Sequence, residues 1–203
     1  MMATTHALAG LLVGATASAL TGDAAPLVLA AGAFGGLFPD FDLYAGHRKT
    51  LHFPVYGSFA AVLGVGVYAL LGTTLALAAV VFLLAAALHA ASDALGGGLE
   101  LRPWEGTSER AVYDHYRGRW WRPRRLIRYD GAPEDALTGL VLAVPGYLVA
   151  DEPLRSLVVA GVIVSVGYAA ARKPMVALAE RLVAATPDAI IEHLPERFVG
   201  DIR

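Results

Sequence analysis

Carboxylates and imidazoles, donors that suit divalent ions, recur in a few short stretches of this chain: His6, Asp40 with Asp42, His47, His52, and His89 with Asp93. His89 and Asp93 stand four residues apart, so on a helix they share a face and can bind one ion together or neighbouring ions. Asp40 and Asp42 follow an apolar run in Phe38-Pro39-Asp40-Phe41-Asp42. A helix C-terminus disfavours both anions, and they repel each other; a bound cation relieves both penalties. His47 and His52 flank Arg48-Lys49 and, taken alone, would equally suit a solvated basic loop. With no cysteine in the chain, disulfides and thiolate sites are excluded. Zinc, manganese, iron, nickel, magnesium and calcium stay open. The seven candidate donors exceed what one four-coordinate zinc needs. They suit two ions about 3.5–4 Å apart, unless some of them orient the others. A divalent ion held by such donors brings the pKa of bound water to about 7 and polarises a phosphoryl or carbonyl oxygen. One of Asp40, Asp42 or Asp93 would act as general base, and Arg48 and Lys49 would neutralise a phosphate or oxyanion.

These residues need elements to position them, and the composition says where those elements lie. With 56% hydrophobic and 17% charged residues among 203, and a mean hydropathy of +0.54, the chain is too apolar for a water-soluble domain. The expected fold is all-α, an integral membrane bundle of six short helices near Thr5–Leu20, Ala24–Phe38, Pro54–Leu71, Thr73–Leu95, Ala136–Ala150 and Leu154–Ala171. Residues 1–173 form one transmembrane domain that includes a basic loop, 96–135, and residues 174–203 form a tail. Gly10 and Gly14, and Gly32 and Gly36, are small residues four apart that allow close helix approach. Every Lys and Arg except Arg155 lies in 39–53, 96–135 or beyond Ala171. The positive-inside rule then makes both termini and both long connections cytoplasmic in a multi-pass plasma-membrane protein. All seven candidate donors fall at that inner face. Ala17-Ser18-Ala19 has the form of a signal-peptide cleavage site, but Met1–Leu8 lacks the Lys or Arg of a secretory leader.

The order His6, Pro39-Asp40-x-Asp42, His47-Arg48 with His52, and His89-x-x-Ser92-Asp93 resembles the YdjM-like family of membrane-bound metal-dependent hydrolases, also known as the domain of unknown function 457 family. Its motifs cover roughly the first half of the chain. Leu101-Arg102-Pro103-Trp104 falls where such proteins often carry a Leu-Trp-Pro segment. Leu43 stands where the family commonly has His, Phe53 replaces a Ser, and Thr50 is displaced by one position. The resemblance implies a helical zinc site like that of phospholipase C or P1 nuclease, and hydrolysis of an ester or phosphodiester.

The loop 96–135 interleaves Arg117, Arg119, Arg122, Arg124, Arg125 and Arg128 with Tyr113, Tyr116, Trp120, Trp121 and Tyr129. Its place beside the bilayer favours anionic lipid headgroups over nucleic acid as the partner. In the tail, Met175, Leu178, Ala179 and Leu182 at helical spacing suggest an amphipathic helix. Two other functions remain open: a metal-ion transporter, whose site would lie near the midplane, and a structural protein pinned by a closed metal shell.

Overall fold

The computed structural model describes residues 1–23, 26–191 and 193. Its helices are α1 (Ala3–Thr21), α2 (Pro26–Leu37), the short α3 (Leu43–Gly46), α4 (Pro54–Leu71), α5 (Thr74–Ser92), α6 (Pro133–Val149), α7 (Leu154–Ala185) and the short α8 (Asp188–Ile191). Between α5 and α6 a two-stranded antiparallel hairpin pairs β1 (Val112–Asp114) with β2 (Arg119–Trp121). The segments Ala3–Thr21, Pro26–Gly46, Pro54–Leu71, Thr74–Leu95 and Leu154–Ala185 are long and apolar enough to cross a membrane. The expected span Ala136–Ala150 coincides with α6, a helix of 17 residues that is not one of those five. The expected start of the second span at Ala24 lies outside the described residues, as do 192 and 194–203 of the tail.

Helix boundaries follow from local chemistry. Pro26, Pro54 and Pro133 each open a helix, where a missing N–H costs nothing and φ is already fixed. Gly22 and Gly72 close α1 and α4 in the left-handed region, at φ 74° and 61°, which only glycine adopts without strain. Thr73 caps α5 by accepting a hydrogen bond from the Ala76 N–H at 3.3 Å.

α1 is the hub, packing on α2, α5, α6 and α7, while α2 and α4 also pack on α5. The glycine pairs read from the sequence meet each other directly. A Cβ on Gly10 would strike the Gly32 carbonyl, one on Gly32 the Gly10 carbonyl, and one on Gly36 the His6 carbonyl. On the next face of α2, a Cβ on Gly35 would strike the Phe82 carbonyl of α5. Three backbones therefore lie in contact where side chains would normally separate them. The apolar core around α1 is Leu8, Leu11, Ala15, Leu29, Ala143 and Val158. Outer faces are equally apolar: Leu63 and Leu70 on α4, Leu148 on α6 and Leu157 and Ile163 on α7 are all at least 60% exposed. Exposed aliphatic surface on this scale fits helices whose surroundings are lipid rather than water.

The hairpin places structure where the sequence suggested only a basic loop. Asp114, fully buried, closes its turn. Oδ1 accepts the N–H groups of Tyr116 and Arg117, and Oδ2 accepts Trp121 Nε1 at 3.0 Å. Burial pushes the Asp114 carboxyl up, but these donors outweigh it and hold the group below its ordinary range. The loop's backbone then ties down the end of α5, with N–H groups of Arg124, Arg125 and Ile127 donating to the carbonyls of Ala94, Gly96 and Leu95. Tyr113 N–H donates to the Arg48 carbonyl at 2.9 Å, which joins hairpin and histidine loop. α7 runs without interruption through residue 173, where the sequence suggested a domain would end, and carries Pro174 inside it. Beyond that point Met175, Leu178 and Leu182 are exposed and Val176 is buried.

Candidate metal centre

The fold brings His6, Asp40, Asp42, His47, His52, His89 and Asp93 into one cluster at one end of the bundle, with Asp93 linking its members. Asp93 Oδ1 lies 3.2 Å from His6 Nε2 and 3.2 Å from the Met1 nitrogen; Oδ2 lies 3.3 Å from His52 Nε2 and 3.6 Å from His89 Nε2. His89 Nε2 is also 3.4 Å from Asp40 Oδ1. The rings of His6 and His89 stack with centroids 3.7 Å apart. Two overlapping groups have donor atoms close enough to hold an ion: His6, His89 and Asp93, and Asp40, His52 and His89.

Proton positions follow from the acceptors. His89 Nδ1 lies 2.5 Å from the Gly36 carbonyl, which can only accept, so Nδ1 carries the hydrogen. His52 Nδ1 donates to Asp42 Oδ2 at 2.9 Å. The Nε2 atoms of both rings lie 3.2 Å apart, and with neutral rings each presents a lone pair to the other. Beside them Asp93 Oδ2 is buried, with Arg48 Nε 3.4 Å away in an ion pair rather than a hydrogen bond. Two facing lone pairs beside a buried carboxylate make a donor set that fits a divalent ion. Because His89 has a single nitrogen left, the two groups describe one shared position, or two positions of which only one takes His89.

Burial opposes charge on His52, but the carboxylates of Asp42 and Asp93 outweigh it, and its imidazole is held above its ordinary range. A proton between His52 and His89 and a metal ion therefore compete for the same site.

Asp42 and His47 stand behind this set, in neither group. Asp42 is 1% exposed and accepts from His47 Nδ1, His52 Nδ1 and the N–H groups of Arg48 and Leu51. Its neighbour Asp40 faces the other way because Phe38–Asp42 is a 3-10 turn. At 3.0 residues per turn, positions two apart diverge by about 120°. The pair expected to share an ion is thus divided between facing the site and orienting it. Arg48 sits at φ 59°, a left-handed conformation that costs a non-glycine residue about 1–3 kcal/mol. Its side chain is buried: Nη1 donates to the Gly97 carbonyl at 2.8 Å, and Nε lies 3.4 Å from Asp93 Oδ2. Lys49 turns its ammonium over the Tyr113 ring, 4.6 Å from the centroid, and His115 reaches the Lys49 carbonyl at 2.7 Å.

A cleft of about 560 Å³ adjoins the cluster; Asp40, His47 and Arg48 line it together with Asp130, Tyr168 and Arg172. Asp40 keeps 22% of its side chain exposed, more than any other member of the two groups. Sequence spacing offers no signal for Tyr168 or Arg172, which stand more than 70 residues from the nearest cluster member. Gly36 suggested only helix packing, although its carbonyl orients His89.

Comparison with protein-family models, with curated proteins and with solved structures finds no match to this chain.

Proposed function

We propose that this chain is a membrane-embedded, metal-dependent hydrolase that cleaves a phosphodiester or lipid ester at the cytoplasmic face of the membrane. The observation that carries the reading is the pair of His52 and His89 Nε2 atoms, 3.2 Å apart with both Nδ1 positions committed, beside the buried carboxylate of Asp93. A nitrogen-rich set without thiolates favours zinc. His6, Asp40, His52, His89 and Asp93 are its proposed ligands. Asp42 orients His52 and is itself braced by His47, as carboxylates behind metal-bound histidines commonly are. A bound ion supplies Lewis-acid polarisation of the scissile group and activation of water near neutral pH.

The remaining work falls to the chain's own residues. Asp40, at the mouth of the cleft, is placed to accept a proton from an attacking water. Arg48 is a positioning residue: its guanidinium balances Asp93, and its anchored geometry holds that carboxylate toward the histidines. The lysine and arginine distribution supports six spans with α6 as the fifth and both termini inside. That puts the cleft at headgroup level, where Arg117, Arg119, Arg122, Arg124 and Arg125 attract anionic lipid. Three of those arginines have side-chain commitments that reduce the charge left for this role: Arg117 pairs with Asp114, Arg122 with Glu109, and Arg125 binds the Gly106 and Ser108 carbonyls.

The test is purification in detergent, elemental analysis, and assays with a soluble phosphodiester and with phospholipid for wild type and His89→Ala. Stoichiometric metal and turnover in the wild type are expected, with both lost in the variant; removal of one ligand should lower turnover by at least about 100-fold. Absence of metal from the wild type would sink the reading. Metal without turnover would make the centre a structural pin, and divalent-ion uptake into proteoliposomes would make it a transporter.

A further inference from the structure

The cleft is graded along its length. Its α7 wall presents Val164, Tyr168 and Arg172, spaced so that they share one helix face and span about 12 Å. The series passes from aliphatic to phenolic to cationic as α7 runs toward the end of the bundle that carries the charged loops. Arg172 is fixed by Asp130 Oδ2 through Nε at 2.9 Å and by the Leu101 carbonyl through Nη2 at 3.3 Å, and neither engages Nη1. The Tyr168 hydroxyl donates to the same Asp130 oxygen at 2.7 Å. Leu43 and Val164 line the cleft and are each 56% exposed, with Phe41, Tyr44 and Ile163 exposed beside them in sequence. Glu100 also lines the cleft, and its Oε2 is buried without a hydrogen-bond partner.

A soluble phosphodiester would leave the apolar rim unused. A lipid would use both halves, with chains against the aliphatic residues and a phosphodiester beside the Arg172 guanidinium, whose Nη1 stays uncommitted. Building on the hydrolase reading, we infer that the cleft takes a glycerophospholipid from the surrounding leaflet. Its acyl chains lie against Leu43 and Val164, its phosphodiester lies between Asp40 and Arg172, and a headgroup donor meets Glu100. Tyr168 and Arg172 are then specificity residues, which read the phosphate end of the ligand.

The full chain in maltoside micelles, with the metal it carries, is titrated with dioleoyl phosphatidylglycerol, with glycerophosphoglycerol and with dioleoylglycerol, and binding is followed by native mass spectrometry. The intact lipid should bind at least about tenfold more tightly than either fragment: glycerophosphoglycerol lacks the chains, where burial of two methylenes alone is worth about that factor, and dioleoylglycerol lacks the phosphodiester that Arg172 reads. Val164→Trp fills the chain end of the cleft and should weaken phospholipid binding about tenfold, or ~1.4 kcal/mol. Arg172→Gln should weaken phospholipid but not dioleoylglycerol. Metal content equal to wild type verifies that each variant is folded. Glycerophosphoglycerol binding as tightly as the lipid would overturn the inference, and so would equal lipid retention by wild type and both variants, the mark of annular lipid only. Because binding is read without turnover, the two readings fail separately. Metal-dependent hydrolysis of a soluble phosphodiester without lipid binding overturns this inference alone, whereas lipid binding without hydrolysis leaves it standing.

Discussion

Single residues decide whether the cluster holds an ion or only protons. Asp42 accepts four hydrogen bonds from one loop, so Asp42→Asn replaces an acceptor-only group with one that must direct an N–H at a donor. Metal affinity is expected to fall about 10–100-fold, as measured by competition with a chelating dye, with less effect on the fold than on the metal. pH acts through His52, whose imidazole is held above its ordinary range. In the metal-free protein, the stabilisation from its charged form is fully present below the ordinary imidazole pKa and is lost as pH rises through the raised value. The metal-loaded protein behaves oppositely, because the ion displaces that proton. Apparent affinity should therefore rise with pH, by up to about 1.4 kcal/mol per pH unit for each proton displaced. Calorimetry in buffers of different ionisation enthalpy would register the released proton, and a pH-independent affinity would contradict the competition. Residue types and the i, i+4 spacing of His89 and Asp93 made these donors visible in sequence. The separate roles of Asp40 and Asp42 were not visible, because they depend on a 3-10 turn whose pitch no spacing rule reports.

Elements determine how closely the donors approach. The glycines of α1 and α2 are legible as small-residue pairs, and the structure gives them each other as partners. Gly36 has two tasks, since a Cβ there would strike the His6 carbonyl while its own carbonyl holds His89 Nδ1. Gly36→Ala should separate α1 from α2 and cost about 1–3 kcal/mol, typical of overpacking, with metal lost at the same time. A thermal melt in detergent paired with elemental analysis tests this; retained metal at wild-type stability would mean that the contact is not limiting. The hairpin was the element hidden in the sequence. Three-residue strands are too short for an alternating pattern to stand out, and the arginines and aromatics of 110–130 read equally well as an interfacial belt. What organises them is buried Asp114, whose partners lie within seven residues of it.

At the scale of the molecule, the charges and the apolar surface are sorted to different places, and that much was plain from composition and from the positions of Lys and Arg. Among the described residues five segments have the length and hydropathy to cross a bilayer, and the cluster, the cleft and the hairpin share one end of the bundle. The chain contains no cysteine, so single cysteines report sidedness without background. With the charged end inside, a membrane-impermeant thiol reagent added to whole cells should label Leu20→Cys, at a position 82% exposed, and leave Tyr116→Cys untouched until the cells are opened. The reverse pattern would invert the orientation. The glycine contacts carry one further implication. A site supported by side chains has give in it, since rotamers shift and absorb a small error. Here the separation of α1 from α2, and with it the gap between His6 and His89, is gauged by main chain resting on main chain, which has no compliant part. An error as small as one methyl group would be felt at the donor cluster, and the size of any cation that the cluster could hold would be set by helix packing as much as by the donors themselves.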